Sequence, residues 1–127
     1  MEELKNLLIE WAALEPTRCY HHKDDLSEDF SVHRGKTLNT IWAVNLGDIS
    51  TSGLDTLQGA IQEAIAYRGY LFTLESATDG LLYARIRDKV FASGAKGWYG
   101  KSTEGAIALL EAYVECLKGL GVWHERA

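Results

Sequence analysis

Tyr70-Leu71-Phe72-Thr73-Leu74-Glu75-Ser76-Ala77-Thr78-Asp79-Gly80-Leu81-Leu82-Tyr83-Ala84-Arg85-Ile86-Arg87-Asp88 reads as two strands around a tight turn. On the first arm Tyr70, Phe72 and Leu74 alternate with Leu71, Thr73 and Glu75. On the second, Leu82, Ala84 and Ile86 alternate with Tyr83, Arg85 and Arg87. A period of two is the mark of a strand with one buried face. Thr78-Asp79-Gly80 supplies the turn, because Asp-Gly is the strongest short-range hairpin signal. Strands joined by so short a turn must be antiparallel. The Tyr83, Arg85 and Arg87 face also predicts that one side of the sheet is at least partly open, since strands covered on both sides read continuously apolar.

Working outward, both flanks of this hairpin read as helices. Upstream, Leu57, Ile61, Ala64 and Ile65 form an apolar stripe. Ser52 with Asp55 predicts a capping box and Gly69 a C-terminal stop. Downstream, a strand or small hairpin is expected over Lys89–Tyr99. Ser102 then caps a helix whose stripe is Ile107, Leu110, Val114 and Leu117, ending near Lys118 or Gly119, with a tail that packs Trp123 and frays. At the N-terminus Leu4, Leu7, Leu8 and Trp11 predict a helix over Glu3–Leu14, ended by Pro16. Thr40–Leu46 reads as a short buried strand. Residues 17–39 are polar and aperiodic, which predicts a loop. The expected fold is α+β: an antiparallel sheet of three to four strands with about three helices, in the order α-(β)-α-β-β-β-α. No internal repeat is visible.

The 127 residues are 46% apolar and 24% charged with a single proline, which fits one globular domain over residues 1–127 and excludes disorder as the dominant state. No apolar run reaches the ~18 residues of a membrane span. The acidic opening Met1-Glu2-Glu3 does not resemble a secretory signal, and Cys19 and Cys116 form no paired pattern. A cytoplasmic protein with two reduced thiols is expected.

The net charge of −5 argues against a nucleic-acid coat. Its distribution says more. Between residues 81 and 103 five bases (Arg85, Arg87, Lys89, Lys96 and Lys101) face one acid, Asp88, so an acidic body presents one basic segment. Tyr83, Arg85, Arg87, Lys89, Trp98, Tyr99 and Lys101 interleave rings with cations. That combination stacks planar groups and pairs phosphates or carboxylates. These seven are the candidate binding residues.

Other constellations are weaker. Gly100-Lys101-Ser102 lacks the earlier glycine of a phosphate-binding loop, because position 95 is Ala. Gly35-Lys36-Thr37 fails likewise, with Phe30 at the required position. Cys19, His21, His22, Asp24, Asp25 and His33 are each able to ligate a metal but have no site spacing, so no metal is expected. No nucleophile elbow is present, and no catalytic residue or cofactor is assigned.

Residues 54–119, with the hairpin followed by Gly100-Lys101-Ser102-Thr103-Glu104-Gly105-Ala106 and an alanine-rich helix, resemble small bacteriophage proteins of the ABA-sandwich type. The likeness rests on element pattern. Ser93–Gly100 is longer than in that pattern, and the phrase introducing the last helix is shifted. The resemblance implies a non-catalytic accessory protein that binds a host protein or complex, as counter-defence proteins do. A small phosphate-bearing ligand is the second partner expected, with nucleic acid third and homo-oligomerisation left open. The competing function classes are a small enzyme using the Cys19–His33 loop and a nucleic-acid-binding module using the basic strands.

Overall fold

Pro16 ends the first helix, and Glu15, the residue before it, becomes the pivot of the molecule. The computed structural model describes residues 2–24, 28–34, 39–44, 51–88 and 97–126. Helix α1 spans Glu2–Leu14 and is followed by strands β1 (Cys19–Lys23), β2 (Glu28–Arg34) and β3 (Asn39–Val44). Helix α2 (Thr51–Tyr67) then leads into β4 (Tyr70–Ser76), β5 (Leu82–Asp88) and β6 (Gly97–Ser102), and α3 (Gly105–Arg126) completes the described elements. The fold is α+β, with two three-stranded antiparallel sheets in the orders β1-β2-β3 and β4-β5-β6. Each sheet follows its own helix in the same order, a correspondence that the side chains of the two halves do not share.

The polar stretch expected as a loop over residues 17–39 therefore contains both strands of the antiparallel β1–β2 pair. Cys19 pairs with Val32 and His21 with Phe30, and those inward positions meet α1 and the core. Alternation is present but hidden. One inward position is a histidine, stacked on Phe30 at 4.6 Å and 12°, and each arm has few inward positions to display. A register shift between Val32 and His33 marks a bulge against β3.

The central hairpin forms with the expected parity. Phe72 faces Ile86 and Leu74 faces Ala84 on one side, while Thr73 faces Arg85 on the other. Gly80 takes φ +83°, Ala77 N donates to Leu81 O at 3.0 Å, and Leu81 N donates to Asp79 Oδ1 at 3.0 Å. Only glycine adopts that backbone cheaply. Gly69, at φ +80°, ends α2 as anticipated.

Three boundaries differ from expectation. Helix α2 already includes Ser52, so Ser52 is not its cap. The last strand is Gly97–Ser102 rather than Lys89–Tyr99, and α3 continues to Arg126. No proline stops α3, and Gly119 and Gly121 are tolerated within it. Ser102 Oγ still accepts from Glu104 N at 3.2 Å, ordering the turn into α3.

Helix α3 is the centre of the core. From Ala106 to Leu117 every residue except Glu111 and Glu115 is buried, far more than one stripe. A helix apolar nearly all round must be covered on several sides, here by α1, α2 and the β5–β6 pair. Gly100 makes the last contact: a Cβ there would lie 2.1 Å from Ala108 O and 2.7 Å from Ala112 N. The helix backbone rests directly on the strand backbone.

At the junction of the helices sits a buried polar hub. Glu15 is 8% exposed. It accepts from Trp11 Nε1 at 3.0 Å, from Tyr113 Oη at 2.8 Å and from Arg68 Nη2 at 2.6 Å, while Arg68 Nε reaches Tyr113 Oη at 3.1 Å. Trp11 meets Tyr113 edge-on at 6.1 Å and 84°. One carboxylate thus ties the ends of α1 and α2 to the middle of α3. Burial and the Glu15 charge push the Tyr113 hydroxyl up, against the opposing influence of Arg68. For Arg68 burial opposes the charge, but its bonds to Glu15 and Tyr113 prevail and raise it. Such a hub specifies one arrangement of three helices, because removing any member leaves a buried charge or hydrogen-bonding group unmatched.

Candidate functional site

On β4–β6 the side chains away from α3 form three cross-strand rows: Leu71, Arg87 and Gly97; Thr73, Arg85 and Tyr99; Glu75, Tyr83 and Lys101. The order follows from parity and register alone, since side chains alternate across the pleat. Tyr99 is 60% exposed and Tyr83 39%. Between them lies an open groove of about 350 Å³, whose lining includes Thr73, Glu75, Tyr83, Arg85, Arg87 and Tyr99.

The Arg85 guanidinium lies over the Tyr99 ring, 5.7 Å from its centroid. The ring can sit there because residue 97 is glycine. A Cβ at Gly97 would meet Tyr99 Oη at 3.0 Å and Arg85 Nε at 3.4 Å. Among the described residues no carboxylate is paired with Arg85. Arg87 lies beside it on the same face, half-buried.

Tyr83 is held at the turn end, where its Oη donates to Asp79 Oδ2 at 2.5 Å. That bond lowers the Asp79 carboxyl, with the Leu81 N–H and the nearby Lys101 charge acting in the same direction, and it raises the Tyr83 phenol. Lys101 is exposed, and its backbone N–H donates to Glu111 Oε1 at 3.2 Å, fastening β6 to α3.

Of the seven residues read as a binding surface, Tyr83, Arg85, Arg87, Tyr99 and Lys101 come together on this face. Trp98 does not. It pairs with Ile86, faces the core side, and lies against Tyr70 at 5.7 Å and against Gly119. Adjacent strand residues point to opposite faces, so placing Tyr99 outward sends Trp98 inward. Lys89 lies outside the described residues.

The Cys19–His33 stretch is resolved into separate roles. The Cys19 thiol is buried against Leu8 O at 3.8 Å, and burial followed by the Glu15 charge pushes it up to about 12. It is protonated at neutral pH and is not a nucleophile there. His21 bonds Glu28 at 2.9 Å, and Glu28 also pairs with Lys5 at 2.7 Å, contacts that hold its carboxyl low. His22 turns to the opposite face, where its Nε2 is 2.7 Å from Ser31 Oγ. Such a pair is the beginning of a serine nucleophile, but among the described residues no third group hydrogen-bonds His22 to orient it, and a base needs that orientation. Among the described residues no three His, Cys, Asp or Glu side chains could hold a metal ion, and no helix is long and apolar enough to cross a membrane.

Sequence reasoning missed the Ser31–His22 pair and the Glu15 hub. The first became visible only when β1 and β2 paired. The second joins residues 98 positions apart, and no local pattern announces it. Compared with family models, curated proteins and solved structures, the chain has no match.

Proposed function

We propose that this protein is a binding module whose β4–β6 outer face holds a small anionic ligand with a planar body. The observation that carries the reading is Arg85. Its guanidinium is stacked on an exposed tyrosine, set beside Arg87, and unmatched by any carboxylate among the described residues, within a groove of small-molecule size. Guanidinium pairs favour phosphate, which they bind through two parallel N–H bonds. A broad protein interface would also use Tyr and Arg. The groove's volume, at the lower end for ligand pockets, favours the small ligand instead.

The accessory-protein setting that the phage resemblance implies belongs to this proposal. A protein that sequesters a phosphate-bearing compound would interfere with a host component that depends on it. The test is calorimetric titration with nucleoside monophosphates and inorganic phosphate at low and high salt. Binding that weakens with salt and falls at least tenfold in Arg85→Glu, with an unchanged Tm, is the expected result. Wild-type affinity in Arg85→Glu would remove the site from this face.

A further inference from the structure

The groove is not uniformly basic: among the described residues its lining carries one carboxylate, which narrows the ligand. Glu75 lines the same groove as Arg85 and Arg87, is exposed, and has no ion pair or hydrogen-bond partner among the described residues. Its cross-strand neighbour is Tyr83, and the cation beyond, Lys101, lends its field to Asp79. A surface meant for a polyanion would be weakened by such a group, because like charges repel at close range. A ligand with two unlike ends would use it.

We infer that the occupant is a guanine nucleotide, its phosphate at Arg85 and Arg87 and the hydrogen-bonding edge of its base at Glu75. This deepens the anion-binding reading above and rests on it. Glu75 stands two rows from Arg87 along the strands, about 13 Å at the usual rise per residue. An extended nucleoside monophosphate covers a comparable span between its phosphate and the far edge of its base. Tyr99 stands in the row between Glu75 and Arg87 with Arg85 over one side of its ring, Tyr83 stands beside Glu75, and both tyrosines are exposed, so a base has rings to stack on.

An ionised carboxylate only accepts hydrogen bonds. Guanine offers it two donors side by side, the ring N1–H and the exocyclic amino group. Adenine offers one amino donor next to a ring acceptor, whose lone pair would face a carboxylate oxygen. The base edge therefore decides affinity at the Glu75 end, while phosphate decides it at the arginine end.

The experiment is calorimetric titration of the full chain with GMP, IMP, AMP and inorganic phosphate, repeated on Glu75→Gln and Arg85→Glu, with circular dichroism to verify folding. GMP should bind at least tenfold more tightly than AMP or phosphate, with IMP, which lacks the exocyclic amino group, between. Glu75→Gln should bring GMP close to AMP while leaving AMP unchanged, and Arg85→Glu should weaken all four. Equal GMP and AMP affinities in the wild type would overturn the guanine assignment while leaving the anion site standing, as would a preference that survives Glu75→Gln. If neither nucleotides nor phosphate bind, both readings fall.

Discussion

In the first sheet the polar side chains find one another: His22 meets Ser31, while Glu28 gathers Lys5 and His21. In the second, among the described residues, Arg85 has a ring beneath it and no paired acid, and Glu75 has no paired cation. Both sheets are three-stranded antiparallel meanders entered from a helix, so backbone architecture does not separate them. Charge matching does. A matched pair lowers its own electrostatic energy and leaves little for a ligand, whereas a guanidinium and a carboxylate that share one groove and have no ion-pair partner among the described residues remain able to pair with one. On the reading proposed above, the second sheet is the working one.

The largest test of this contrast concerns what the second sheet rests on. Gly100→Ala would put a methyl group into the α3 backbone, and overpacking against atoms that cannot rotate away should cost at least about 3 kcal/mol in chemical denaturation. A loss under about 1 kcal/mol would show that β6 and α3 separate easily and that the groove has no rigid floor.

Next comes the hub that fixes the helices behind both sheets. Glu15→Gln should cost about 2 kcal/mol, less than the 3–5 kcal/mol of a fully buried broken pair, because the Arg68 side chain is 34% exposed. Equal stability of variant and wild type would mean the hub adds nothing beyond packing.

A smaller effect belongs to the first sheet and depends on pH. The Glu28 carboxyl is held below its ordinary 4.5, first by its bond to Lys5 and then by its bond to His21. A lowered carboxyl contributes stability that is present above the ordinary value and lost as pH falls through the folded one. Glu28→Gln should therefore flatten the acid side of the stability profile. An unchanged profile would show that these surface pairs are ornamental, as many are.

The smallest effect should fall on the second sheet. Arg85→Ala should change stability by no more than about 0.5 kcal/mol, since the side chain is exposed and forms no ion pair among the described residues. A loss above about 1 kcal/mol would make Arg85 a structural residue and erase the difference between the two sheets.

How much of this was legible beforehand can be traced residue by residue. The facing of Tyr83, Arg85 and Arg87 depends on alternation within one strand, a local property, and reading the residues in order was enough. Alternation along β6 already keeps Trp98 and Tyr99 off the same face; which of the two points outward follows from the pairing of Trp98 with Ile86, a register set across the sheet. Residues 19–34 hid their hairpin because inward His21 looks polar until Phe30 lies under it.

By itself, then, the sequence determined the three helices, the Asp79-Gly80 turn, the α+β class and the parity of the basic strand, all encoded within a few neighbouring residues. Tertiary structure alone decided that Glu15, Arg68 and Tyr113 share one site, that Gly100 carries a helix on its back, and that Glu75 enters the arginine groove. The first joins residues up to 98 positions apart; the other two join closer stretches, but through the docking of α3 on β6 and the register of β4 against β5, which are set between elements and not within them.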